Sequence, residues 1–353
     1  MKSKRYIWID LLRSFAIMCV VLCHSVEASY KLLDVNFMNA LSLKSEIFSF
    51  IAFTFGRTGV PIFLFITGYL ILGRNFDSHS TIKFWKKNWL PLLITIEIWL
   101  VIYSLLLYIT RGTPTSLWGI IKDVLFLDGT GYNHMWYAYM IVGVYLFLPF
   151  VSSVVEKFET KIILFPLILS FVYLSIVPLT NILLTLNEKG AIKNQLDLNF
   201  SGGIYGIYII IGYLIKKGIF KNIKSSYLVF LSILSFVLTV VLQMYLYGNR
   251  YVYPVNYSNC FLIIFGMLIF ELGSRIKTIP FEKIWLSISK CSFGIFLIHN
   301  PVKDFVVSIL NFEIKLLPIK TAIIFIITFI ISWSIVALIG KIPIVRKYLF
   351  NMK

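Results

Sequence analysis

Apolar runs separated by short polar stretches fill the chain from end to end. Segments free of Asp, Glu, Lys and Arg cover 58–73, 135–155, 162–187, 198–215, 225–249, 251–270 and 321–340. Each is close to the ~20 residues a helix needs to cross a hydrocarbon layer. Three further runs, 6–26, 88–110 and 289–312, are long enough but hold internal charges, and the second span extends back to about residue 47 once Arg57 is admitted. The pattern predicts an all-α integral membrane protein, a bundle of about ten transmembrane helices forming one domain over 1–353. No soluble domain, low-complexity linker or clear repeat interrupts it.

Ten spans put both termini on one side, and the basic residues choose which. With the N-terminus cytoplasmic, the inner segments carry 21 Lys and Arg and the outer loops 10, with Arg13 and Arg57 inside spans. That bias follows the positive-inside rule, so both termini are predicted to be cytoplasmic. The longest connections, 27–46, 111–133 and 180–202, then lie outside, where they suit recognition. Within the second of these, SLWGIIKDVLFL reads as a short amphipathic helix along the interface.

Composition agrees: of 353 residues, 59% are hydrophobic and 14% charged, far more apolar than an ordinary globular domain. The net charge of +17 does not indicate nucleic acid, because the cations are spread among short loops rather than gathered on one face. Cys19, Cys23 and Cys260 lie within apolar runs and Cys291 begins another; with no CxxC, they read as packing residues rather than metal ligands or disulfides. MKSKR followed by an apolar run and VEAS resembles a secretory signal, but Asp10 and Arg13 interrupt its apolar region, so the segment reads as a retained first helix.

The charges inside spans carry the candidate chemistry. Arg13 and His24 are eleven residues apart, about 1,100° of helical rotation, so they share one face with ~16 Å between them along the axis. An intramembrane Arg costs ~3 kcal/mol or more unless it faces protein or a wet cavity. Asp10 and Glu27 are spaced to pair with Arg13 and His24 respectively. Taken alone, His24 reads first as a satisfied structural histidine; the shared face with Arg13 turns the reading toward function. Arg57 sits within GRTGVPIFLFITGYL, where Gly59, Pro61 and Gly68 permit a bend and close packing. It either pairs with Glu97 or contacts a ligand. His24, His134 and His299 fall toward the outer face, His79 in an inner loop, and Arg13, Lys86 and Lys87 toward the cytoplasm. An anionic donor entering from inside and a base acting near the outside would both be served.

Four ordered blocks resemble the membrane acyltransferase-3 family. IDLLRSFAIMCVVLCH matches its Asp-x-Leu-Arg start and Arg-x10-His spacing at Asp10, Leu12, Arg13 and His24. RTGVPIFLFITGYL, HMWYAYMIVGVYLFLP and SFGIFLIHNPV resemble its later blocks, the last two bringing His134, Trp136, Tyr137 and His299. FWKKNWLP departs from the pattern, with Lys86 and Lys87 where the family has an arginine-rich run, and lysine lacks the bidentate fork.

The resemblance implies an acyl-CoA-dependent O-acyltransferase that moves an acyl group, most simply acetyl, from a cytoplasmic donor to a hydroxyl of an extracytoplasmic glycan or lipid-linked sugar. His24 would act as general base oriented by Glu27, or as a transient acyl carrier. Arg13 would hold the donor or stabilise charge at its carbonyl, with Arg57, Lys86 and Lys87 as further donor contacts. His134, Trp136, Tyr137 and His299 would meet the acceptor, and no metal is expected. The resemblance and Lys/Ile-rich usage point to a bacterial plasma membrane. No extracellular esterase-like domain is expected, leaving direct transfer or delivery to a separate extracellular acyl-accepting protein. A carrier or exporter of lipid-linked sugars is the competing reading, since its passage could be lined by the same charges. The unrelated His-plus-Asn membrane acyltransferases lack these ordered blocks.

Overall fold

The computed structural model describes residues 5–114, 116–129, 131–309 and 316–352. Lys2, Lys4, Lys315 and Lys353, which enter the charge balance, and the end of the 289–312 run lie outside them. The described residues contain helices and no strand. In chain order the principal helices are α1 (Ile7–Ser29), α2 (Leu43–Ile71), α3 (Ser78–Arg111), α4 (Leu117–Val124), α5 (Asn133–Val155), α6 (Thr160–Leu186), α7 (Gly203–Lys216), α8 (Ser225–Gly248), α9 (Cys260–Ser274), α10 (Glu282–Ile309) and α11 (Leu317–Ile339).

Seven of these, α1, α2, α3, α5, α6, α8 and α11, are long and apolar enough to cross a membrane. The remaining expected spans correspond to α7, α9 and α10. With 14 and 15 residues, α7 and α9 reach only ~21–23 Å at 1.5 Å per residue. α10 has 28 residues and carries Lys290, Lys303 and Asp304 along its length. The amphipathic segment expected after α3 is α4, capped by the Ser116 hydroxyl, which accepts from the Gly119 amide.

Burial separates the centre from the rim. α1 packs against α2, α9, α10 and α11, with Ala16, Ile17 and Val26 fully buried. It is a core helix. By contrast only 17% of the α6 apolar window is buried, and Ile162, Phe165 and Ile168 face outward, the pattern of a lipid-facing helix. All four cysteines are buried and unpaired.

Prolines explain the breaks in regularity. Pro61 offers no amide to the Arg57 carbonyl, and α2 is offset at Thr58, whose hydroxyl donates to the Phe55 carbonyl at 2.6 Å. Within α3 a π-helical turn, Trp85–Trp89, immediately precedes Pro91, and within α6 another, Val172–Ile176, precedes Pro178. A widened turn relieves the clash between a proline ring and the carbonyl four residues before it.

The 251–270 run is not one helix. Residues 251–259 form a non-helical loop with a turn at 257–258 that buries Tyr253 and Val255, and α9 begins only at Cys260, where the Asn259 side chain caps it by accepting from the Leu262 amide at 2.9 Å. Apolarity here reflects a loop packed into protein rather than passage through lipid.

Candidate active site

Five helices enclose a cavity of about 430 Å³. Its polar end holds Arg13, Arg74, Asn88, Ser289 and Asn351, the last brought there because the Trp99 indole donates to the Leu349 carbonyl at 2.7 Å. Its apolar end holds Val20, Phe63, Tyr137 and Phe296. The order is the same on every wall: the lining advances from Arg13 to Val20 on α1, from Asn88 to Leu92 on α3, from Tyr145 to Tyr137 on α5, and from Ser289 to Phe296 on α10. These spacings of three, four, seven and eight residues place each lining set on one helix face.

Beyond the apolar end lie three imidazoles from three helices. The ring centroids of His24 and His299 are 5.2 Å apart, those of His134 and His299 5.0 Å, and those of His24 and His134 6.1 Å. His24 Nδ1–H donates to Glu27 Oε2 at 2.6 Å, which leaves Nε2 as its proton-accepting atom. His299 is fully buried and its Nδ1–H donates to the Phe296 carbonyl at 2.7 Å. Tyr103 donates its hydroxyl proton to the Leu297 carbonyl, so its oxygen receives the His134 Nε2–H at 3.2 Å. His134 Nδ1 and His299 Nε2 therefore carry lone pairs with no protein partner among the described residues, which suits a hydroxyl donor between the rings. Lys303, one turn beyond His299, donates to Asn300 Oδ1 at 2.9 Å and adds positive charge beside the cluster. Among the described residues no group of three or more His, Cys, Asp or Glu has a geometry that holds a metal ion.

Several expected pairings are different in the structure. Asp10 does not pair with Arg13; it accepts from Arg5 Nε at 2.8 Å and from the Ser289 hydroxyl at 2.8 Å, locking α1 to α10. Arg13 is left facing the cavity with no carboxylate in ion-pair range among the described residues. Arg57 does not meet Glu97. Its Nε donates to the Val255 carbonyl at 2.9 Å and Nη1 to the Tyr257 hydroxyl at 3.2 Å, with the guanidinium 4.4 Å from the Tyr257 ring centroid. The break at Thr58 and the inward 251–259 loop bring these partners to Arg57 first. It stands at the level of the histidines rather than with Arg13. Lys86 and Lys87 are exposed on the π turn and do not line the cavity; Asn88 of that turn and Arg74 do.

Trp136 and Tyr137 part company, as neighbours on a helix must. Tyr137 lines the cavity, while Trp136 stacks on Tyr205 at 5.6 Å and meets Tyr257 at 5.3 Å. Those three half-buried rings form a surface next to Arg57, the kind of face on which a sugar ring stacks. Replacing Arg57 by Ala removes two charge-assisted hydrogen bonds and cation–π contacts with Tyr257 and Phe53, on the order of 3 kcal/mol of local stability. Hydrogen exchange over 251–259 then accelerates by about two orders of magnitude, with exchange in α6 unchanged.

A family model described as an acyltransferase domain matches residues 6–337, nearly the whole chain. The chain belongs to the acyltransferase-3 family. No curated protein and no solved structure matches it. With seven helices able to cross a membrane, this family member is a multi-pass membrane acyltransferase, and its activity implies an acyl donor. Arg74, Asn88, Tyr103, Lys303 and Asn351 were not singled out in the sequence. Only Lys303 had a local signal, its i+4 spacing from His299.

Proposed function

We propose that this acyltransferase takes an acyl group, most simply acetyl, from acyl-CoA on the cytoplasmic side of a bacterial plasma membrane and delivers it to a hydroxyl of an extracytoplasmic glycan or lipid-linked sugar. In this reading α7, α9 and α10 complete about ten spans and both termini are cytoplasmic, as the distribution of Lys and Arg favours. The observation that carries the reading is the stacking of two unlike sites: a cationic cavity end at Arg13 and Arg74, and a histidine cluster past its far end.

The residues divide the reaction between them. His24 Nε2 takes the acceptor hydroxyl proton as that oxygen attacks the thioester carbonyl; the carbon–sulfur bond breaks and the thiol departs with a proton. Glu27 fixes the His24 tautomer and ring angle. Helical side chains lean toward the N-terminus, so Arg13 leans away from His24 across ~16 Å of helix axis. One carbonyl cannot touch both. Arg13 is thus suited to anchor the anionic part of the donor rather than to stabilise the oxyanion. An acyl-histidine on His24 Nε2 is a second route, supported by the lone pairs of His134 and His299, either of which could then accept the acceptor's proton.

Inside-out vesicles given radiolabelled acetyl-CoA test the proposal: label appears on glycan, whereas glycan movement without label identifies a carrier. Arg13→Gln and Arg74→Gln each raise the KM for acetyl-CoA by about tenfold or more, reflecting a lost charge-assisted contact of ~1.5–3 kcal/mol. Unaltered KM in both variants contradicts the donor assignment.

A further inference from the structure

Phe296 is the ring that belongs to both sites. It lines the apolar end of the cavity, and its centroid is 5.4 Å from that of His134 and 6.1 Å from that of His299. Tyr137 meets it at 5.3 Å and in turn meets Phe63 at 6.4 Å, while Phe293 lies parallel to it at 6.1 Å with 15° between planes. Together these rings form a layer across the path from Arg13 to His24.

We propose that Phe296, backed by Tyr137 and Phe63, is a selectivity gate that admits short acyl groups from the cavity to the histidines and rejects longer ones. The inference rests on the acyl-CoA reading above. The acyl end of a donor anchored at Arg13 and Arg74 leads toward the layer, so it must pass before its carbonyl reaches His24. Phe63 and Phe293 are only half-buried and border the cavity, so a ring displaced from the layer has space on the cavity side. A two-carbon acyl group needs a small aperture; each added methylene needs a wider one. The layer also shields the thioester from water on the histidine side, where His24 is 18% exposed.

The test measures kcat/KM for acetyl-CoA and butyryl-CoA in purified wild type, Phe296→Ala and Phe63→Ala, alongside thioester hydrolysis without acceptor. In Phe296→Ala the butyryl-to-acetyl ratio rises at least tenfold and hydrolysis increases; Phe63→Ala shifts the ratio in the same direction and decides the matter should Phe296→Ala not yield folded protein. Ratios unchanged in folded variants, with acetyl transfer by the wild type intact, overturn the gate alone. A wild type that consumes neither thioester overturns the acyl-CoA reading, and the gate with it.

Discussion

Replacing His24 by Ala lowers acyl transfer by about 10³-fold while the protein still inserts and folds. The expected loss follows from general-base catalysis, which contributes ~10²–10⁴ where a positioned imidazole takes the proton. His24 is suited to that task because Glu27 occupies its Nδ1–H and leaves Nε2 to accept. The neighbours do not replace it readily. His299 is held by the Phe296 carbonyl and His134 by Tyr103, each in a buried site with its ring fixed, whereas His24 is partly exposed. Folding survives because a partly exposed side chain leaves little cavity when truncated. The rate is read as initial transfer of labelled acetyl, with the melting temperature in detergent as the control. Transfer at the wild-type rate removes His24 from the chemistry.

A second large effect is expected where α2 crosses α7. Gly68 lies against the Ile209 backbone and Gly212 against the Phe65 backbone, a reciprocal approach in which each helix offers the other a residue without a side chain. A Cβ at either position would overlap a carbonyl oxygen, and neither backbone can yield without parting the helices. Such small-residue contacts are how helices pack tightly in lipid, where no hydrophobic drive remains between them. Gly68→Val therefore costs about 3 kcal/mol or more, at or above the top of the usual overpacking range, because the clash is with backbone rather than with a side chain that could move. It also moves Phe63 and Arg74, which flank Gly68 on the way from one end of the cavity to the other. The monodisperse yield after detergent extraction falls severalfold and activity falls with it, whereas Phe165→Val, on the outward side of α6, changes neither. A Gly68→Val protein that melts with the wild type contradicts this packing.

Much of the fold was legible because lipid imposes one simple requirement, a long apolar run, and seven helices meet it. The same requirement misled at 251–259, where Val255 is apolar because its side chain is buried in a cluster with Val240, Tyr247 and Leu262 while its backbone bonds to Arg57 and Gln243, not because it spans. Spacing along a helix predicted that His24 and Glu27 could meet, and they do. It predicted the same of Asp10 and Arg13, and there a tertiary competitor prevailed: Ser289 and Arg5 approach Asp10 from outside the helix. Lys86 and Lys87 were placed by sequence order alone, and the π turn ahead of Pro91 presents Asn88 to the cavity and leaves both lysines exposed. The levels of His24, His134 and His299 could be read from the order of spans. Their convergence could not, since it depends on how α1, α5 and α10 pack together.

In the proposed reaction an acyl group received beside Arg13 on one face of the membrane is transferred at His24 on the other. Proteoliposomes with a single protein orientation, labelled acetyl-CoA supplied only to the Arg13 side and a glycan acceptor only to the His24 side, test it most directly. Label should accumulate on the acceptor with wild-type protein and fall to background with His24→Ala. Transfer that occurs only when donor and acceptor share a compartment, or that persists in His24→Ala, contradicts the account.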